Sequence, residues 1–278
     1  MVFRQHVPAE PLATYVDHFW FYEDLFPSHR REHVLPDGTF ELIINLRDDA
    51  RHTFDRTSGD GTLFRDAWFS GAHSRYIVID ALPGSSMIGV HFKPGGAVAV
   101  LGCPADQLRD RVVELDAIWG TAAAELREQL LLARGPAAKF NVLERALRAR
   151  LASHRRDAMQ QRRVFWARDR FIAGAGTLRI SDVAGQLGVS HKHFIDEFRR
   201  HVGLAPKLFC RIRRFQDVLT CVTRDAPVNW ADVACTCGYF DQAHFVHDFR
   251  AFSGLTPTRY ESHNGIEHMN FVPVDELR

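Results

Sequence analysis

Side chains able to do chemistry are concentrated in a few places along the chain. Cys235 and Cys237 are one residue apart, and His6, His18, His29, His33, His52, His73 and His91 lie in the first hundred residues. A thiolate metal or redox site wants Cys-x-x-Cys, so Cys-x-Cys here reads as buried small apolar residues of a helix and turn. A cupin metal centre wants His-x-His, then a carboxylate and a further His, and His91-Phe92-Lys93 breaks that order. A metal-dependent β-barrel enzyme fused to a second domain is thus the alternative reading; the preferred one has no catalytic residue, no metal and no cofactor. The remaining set is basic. Arg199, Arg200, Lys207, Arg211 and Arg250 are suited to hold phosphate oxygens, which gives affinity without sequence information.

The charge balance agrees with a phosphate-facing unit at one end. The formal net charge is +1, yet residues 1–150 hold 17 Lys plus Arg against 20 Asp plus Glu, while residues 160–262 hold 15 against 10. A basic module attached to a slightly acidic one is the expected layout for a polyanion binder with a regulatory partner domain. At 278 residues the chain can form two domains, each with its own core. No run is long and apolar enough to cross a bilayer, and the N-terminus lacks the order of a signal peptide, so a cytoplasmic protein without a membrane partner is expected. Five cysteines in no regular framework fit reduced thiols.

The elements that must position the basic and polar residues are helical. From Pro227 to Tyr260 the sequence predicts a helix-turn-helix: Ala234 lets two helices cross closely, Gly238 takes the positive φ of a sharp turn, and Asp241 caps a second helix. Phe245 and Phe249 sit one turn apart and face inward. Gly254 closes that helix, and Thr256 caps the next, which starts at Pro257. The segment Ile180 to Pro206 repeats this pattern at an offset of 51, pairing Phe194 with Phe245, Phe198 with Phe249, Gly203 with Gly254 and Pro206 with Pro257. Before the turn the offset is 50, pairing Gly188 with Gly238, so the second copy has one extra residue in its turn. The A-x-x-x-G and F-x-x-x-F pattern of both copies, with G-x-T-P in the second, over roughly Arg168 to Ser262, resembles the paired helix-turn-helix domain of AraC-type transcription regulators.

That resemblance implies sequence-specific binding of double-stranded DNA, with base-reading side chains near the start of each recognition helix. Counted from the caps Ser190 and Asp241, these are His191, Lys192, Ile195 and Asp196 in the first helix, and Gln242, Ala243, Val246 and His247 in the second. Gln242 can bond adenine bidentately, and Lys192 can reach guanine N7 and O6. Asp196 departs from the long donor common at its position; it would accept from a cytosine amine or pair with Lys192. A helix over Pro206 to Val222 joins the two units and sets their separation for successive major grooves. Phe194, Phe198, Phe245, Phe249, Phe252 and Trp230 recur at helical spacing and read as core.

Ahead of this, turn punctuation at Leu35-Pro36-Asp37-Gly38, Ser58-Gly59-Asp60-Gly61 and Leu82-Pro83-Gly84 separates apolar stretches. Strands are predicted at Phe40 to Leu46, Ala67 to Ser70, Arg75 to Asp80 and Met87 to Phe92, and a helix near Pro11 to His18. The fold class is α+β multidomain. A β-rich, cupin-like domain with following helices covers 1–155, a double helix-turn-helix domain covers 160–262 (units at about 180–206 and 228–260), and 263–278 is a tail. The β-rich part looks like the N-terminal domain that precedes this DNA-binding type in many bacterial regulators. The predicted helices Ala122 to Ala133 and Lys139 to Leu151 are of the kind that pairs protomers in such regulators, which implies a homodimer. The resemblance also implies RNA polymerase as a partner and a small-molecule effector. Trp20, Tyr22, Phe40, Trp68, Phe69 and Tyr76 are the candidate lining of an effector site; the same rings could instead fill a closed core.

Overall fold

The computed structural model describes residues 2–153, 158–174, 178–222, 228–262 and 270–274. The N-terminal part runs β1 (Val2–His6), a 3-10 turn at Leu12–Thr14, β2 (Val16–Leu25), β3 (Arg31–Val34), β4 (Glu41–Asn45), β5 (Arg51–Phe54), β6 (Gly61–Phe64), β7 (Ala67–Ser70), β8 (Ile77–Asp80) and β9 (Ser85–Phe92). After α1 (Val98–Leu101) and a 3-10 turn at Ala105–Leu108 come β10 (Val112–Glu114), α2 (Asp116–Trp119), α3 (Ala122–Leu132) and α4 (Gly135–Ser153). The strands form two antiparallel sheets, one in the order β1-β2-β9-β4-β7-β10, the other containing β3-β8-β5-β6.

The predicted helix at Pro11 to His18 is not formed beyond the 3-10 turn; Val16 onward is strand. The reason is period two: Phe19 and Phe21 are buried while His18, Trp20 and Tyr22 between them lie on the other face. On the inner face of the six-stranded sheet, Phe19, Phe21, Leu42, Ile44, Phe69 and Val90 join a core that extends into the helices. Its outer face carries Ile43, Trp68 and Met87, which form a small separate cluster with Phe64 of β6 in the second sheet, with Trp20 and Tyr22 against it.

The C-terminal part is α5 (Ala158–Ala173), α6 (Ile180–Gln186), α7 (His191–Val202), α8 (Pro206–Thr220), α9 (Trp230–Thr236), α10 (Gln242–Ser253) and α11 (Pro257–Ser262). The sequence at 154–157, where the two parts join, and Pro227 lie outside the described residues. The chain then returns to the β part: β11 (Phe271–Pro273) pairs antiparallel with β3, Val272 opposite His33, and Val272 is fully buried. The described portion of the expected tail is therefore the edge strand of the second sheet. Among the described residues no helix is long and apolar enough to cross a membrane.

Candidate nucleic-acid interface

Each recognition helix is started and stopped by local chemistry. Ahead of α7, Gly188 turns at φ +67 and Ser190 Oγ accepts from the His193 amide at 3.3 Å. Ahead of α10, Gly238 turns at φ +73 and Asp241 Oδ1 accepts from the His244 amide at 2.7 Å. These side chains satisfy amide groups that the first helical turn leaves without partners. Both helices stop at left-handed glycines, Gly203 at φ +84 and Gly254 at φ +75, positions where a side chain is strained. Beneath α7, the Phe198 ring meets Phe171 edge-on at 5.7 Å; beneath α10, Phe249 meets Phe215 edge-on at 5.3 Å.

A second correspondence between the copies is electrostatic. Glu197 on α7 is buried, and its Oε1 accepts from Arg163 Nη2 at 2.8 Å. Asp248 on α10 is fully buried, and accepts from Arg211 Nη2 at 2.6 Å and Nε at 3.3 Å. His193 and His244, one turn earlier, approach these carboxylates at 3.8 and 3.6 Å. In both units, then, the preceding long helix sends an arginine to an acid buried on the recognition helix. Only the parallel His-Phe-x-x-acid-Phe-Arg strings, His193 to Arg199 and His244 to Arg250, could have signalled this from sequence.

The placement of the predicted DNA-facing residues follows. His191, Lys192, Gln242, Ala243 and His247 are exposed near the helix starts. Ile195 is half-buried, and Val246 is half-buried against the core. Asp196 lies 3.9 Å from Arg199 rather than against Lys192. Arg200, Lys207 and Arg250 are exposed. Arg199 reaches Asp106 of the β part at 3.4 Å. Arg211, expected on phosphate, is instead bound to Asp248; that hydrogen bond raises its pKa above the usual arginine value. A guanidinium already forked onto a buried carboxylate has fewer donors left for DNA.

Both helices meet the β part at their C-terminal ends. A Cβ on Gly203 would sit 3.0 Å from Phe40, and one on Gly254 would sit 2.6 Å from Tyr76. His33 Nδ1 is 2.9 Å from the Ser253 carbonyl, and the Tyr76 amide donates to the Phe252 carbonyl at 3.0 Å. The connector α8 is held as well: Gln216 Nε2 donates to the Pro36 carbonyl at 2.9 Å, and Arg213 to the Asp37 carbonyl at 3.3 Å. With 12 residues each, α7 and α10 are about 18 Å long, so their N-terminal ends stand clear of these contacts.

The six aromatics predicted to line an effector site are split three ways. Trp20 and Tyr22 stack at 5.7 Å on the outer sheet face with Trp68, whereas Phe40 and Phe69 are buried in the main core. Tyr76 stacks on His33 at 4.2 Å, between the β part and α10. They do not share one cavity, because alternation along a strand sends neighbours such as Trp68 and Phe69 to opposite faces. Among the described residues no three His, Cys, Asp or Glu side chains converge as a metal ligand set. His91 lies between Glu41 at 3.0 Å and Asp37 at 3.4 Å and stacks on His18. Burial opposes its charge, but the Glu41 hydrogen bond and the charges of Asp37, Glu41 and Asp17 outweigh this and raise its pKa to about 9. His73 is driven the other way, to about 4, chiefly by burial. Cys237 is buried as expected, its thiol pushed up to about 12 by burial and by neighbouring Cys221, whereas Cys235, also expected to be buried, is exposed.

Two stacked copies of a capped, turned and phenylalanine-cored helix pair define a duplicated helix-turn-helix protein, and the comparisons agree. Residues 183–263 match the family of helix-turn-helix domains, of the AraC type. Residues 4–114 match a domain of unknown function (DUF6597). Among solved structures, the chain is similar to ToxT from Vibrio cholerae, at TM-score 0.45 and 9% identity over 95% of this chain and 99% of that one. ToxT with an unsaturated fatty acid bound gives TM-score 0.45 and 10% identity over 96% and 97%. The C-terminal domain of AraT, a response regulator from Geobacillus stearothermophilus, gives TM-score 0.33 and 19% identity over 41% of this chain and 93% of that one. No curated protein matches significantly.

Proposed function

We propose that the chain binds a two-part site in double-stranded DNA, with the N-terminal ends of α7 and α10 entering successive major grooves. The observation that carries this is their shared polarity: both are fixed to the β part at the C-terminal glycine and present an exposed, polar N-terminal turn. His191 and Lys192 read one half-site, Gln242 and His247 the other, and Arg200, Lys207 and Arg250 hold phosphates. Asp196 is left to local pairing with Arg199. The β part acts as the regulatory domain, and a small effector or a partner such as RNA polymerase acts by altering its grip on α8 and the helix ends. Self-association uses the α3–α4 face, where Leu132 is 82% exposed beside an open groove of about 660 Å³.

Selection from random duplexes tests the proposal, and enrichment of two short elements separated by about one helical turn is the expected result. On the selected site, Gln242→Ala weakens specific binding by about 1–3 kcal/mol, whereas Arg250→Ala weakens specific and scrambled duplexes alike. Failure to enrich any sequence overturns the proposal. Sedimentation that shows a monomer on the selected duplex removes the self-association part alone.

A further inference from the structure

The extra residue in the second turn is Phe240. In the first copy the Val189 amide donates to the Ala184 carbonyl at 3.2 Å, and in the second the Tyr239 amide donates to the Ala234 carbonyl at 2.9 Å, so Tyr239 corresponds to Val189. The caps Ser190 and Asp241 correspond in turn through their bonds to the His193 and His244 amides. Nothing in the first copy corresponds to the residue between Tyr239 and Asp241. That residue is a phenylalanine with 92% of its surface exposed, while Phe194 and Phe198 on α7 and Phe245 and Phe249 on α10 are at 0–1%.

An isolated exposed ring forgoes the burial that stabilises its neighbours, and its position says where that burial is recovered. Phe240 immediately precedes the cap of α10 and adjoins Gln242 and Ala243, on the end of the helix farthest from the β part. The geometry points to Phe240 as a specificity-determining residue: it makes an apolar contact with a thymine methyl group at the edge of the half-site read by α10. This rests on the two-groove reading above. Thymine alone among the bases presents a methyl group in the major groove, and an aromatic side chain is one of its recognised partners. Because α7 has no counterpart, the thymine preference belongs to one half-site and fixes the direction in which the protein lies on its DNA.

The test uses the full chain and the duplex that it selects, with each thymine replaced in turn by deoxyuridine, which removes only the methyl group. For the unaltered protein, one replacement beside the base pair read by Gln242 weakens binding about fourfold, the scale of one buried methyl. Phe240→Ala lowers affinity for the selected duplex about tenfold, leaves scrambled DNA unchanged, and abolishes the response to that replacement. Phe240→Leu keeps part of it. The melting temperature of Phe240→Ala stays at the unaltered value, since the ring supports no packing. Equal affinity of Phe240→Ala and the unaltered protein across the series overturns the inference, and so does an equal loss on scrambled DNA. In either case a selected two-part site still stands; if no duplex is selected at all, it is the two-groove reading that has failed, and this inference with it.

Discussion

Arg211 separates two accounts of one residue, a phosphate contact or a structural partner of Asp248, and Arg211→Met tests them against each other. Methionine keeps the aliphatic stem and removes the guanidinium. The Asp248 side chain is 1% exposed and receives two charge-assisted bonds from Arg211, with the His244 ring 3.6 Å away. Removing one partner of such a pair strands the other charge in the interior, at a cost of about 3–5 kcal/mol. The Arg211 side chain is itself 35% exposed, so water already screens part of the attraction and the lower value, about 3 kcal/mol, applies.

For a chain of this size that lowers the melting temperature by about 6–10 °C. The double variant Arg211→Met/Asp248→Leu, which removes both charges, recovers most of the loss. The salt dependence of DNA binding supplies the second readout. Each phosphate contact contributes about 0.9 to the slope of log affinity against log salt. Committed to Asp248, Arg211 contributes nothing to that slope, and Arg211→Met retains it once both proteins are compared well below their melting points. An unchanged melting temperature together with a slope reduced by about one refutes the reasoning, because it returns Arg211 to the phosphate set.

Further expectations follow from the other contacts. The raised pKa of His91 means that the folded state holds its proton more tightly than the unfolded state does. Its stabilisation is full below about pH 6.5 and is lost as pH rises through about 9; thermal melts from pH 6 to 9.5 should therefore fall less for His91→Gln than for the unaltered chain. His73 has the opposite sign: its buried neutral ring contributes stability above about pH 6.5 that is lost as pH falls through about 4, and His73→Phe flattens that acid limb. Gly254→Ala meets Tyr76 as well as an unfavourable positive φ, whereas Gly238→Ala meets only the φ, since nothing lies within 4 Å of its added carbon. The melting temperature should fall further for Gly254→Ala, and adding Tyr76→Ala should erase the difference. Val272→Asp places a carboxylate in a fully buried site opposite His33, and hydrogen exchange should quicken at β3 before it quickens at β4.

What was legible in the sequence was what local chemistry decides. The turn glycines, the caps Ser190 and Asp241 and the paired phenylalanines each depend on a handful of neighbours, and the duplication presented them twice. Short strands were harder. β3, β5 and β6 are four residues long, too short for a period to mark them, and β3 pairs only with strands remote in sequence. β11 lies 237 residues or more from β3, and three residues carry no signal of that partner. Arg211 and Arg250 look alike as letters; only the burial of Asp248 tells a structural arginine from a free one. The six aromatics named for an effector site lie apart for a related reason, since composition does not reveal which sheet face receives each ring.

The connector α8 alone was expected to fix the separation of the recognition helices, but the fold adds a second restraint. Asp37 accepts from Arg213 of α8 through its main-chain carbonyl, while its carboxylate faces His91 of β9 and accepts from the Thr39 hydroxyl at 2.7 Å. Phe209 of α8 lies against Gly38 in the same loop, where an added Cβ would approach its ring to 3.1 Å. The central sheet, the loop and the connector therefore form a short continuous chain of contacts. The same β part touches the C-terminal ends of both α7 and α10. A shift of β9 relative to that loop must carry α8 with it or break the Asp37 contacts, and in either case the spacing of the two helix starts ceases to depend on the length of α8 alone.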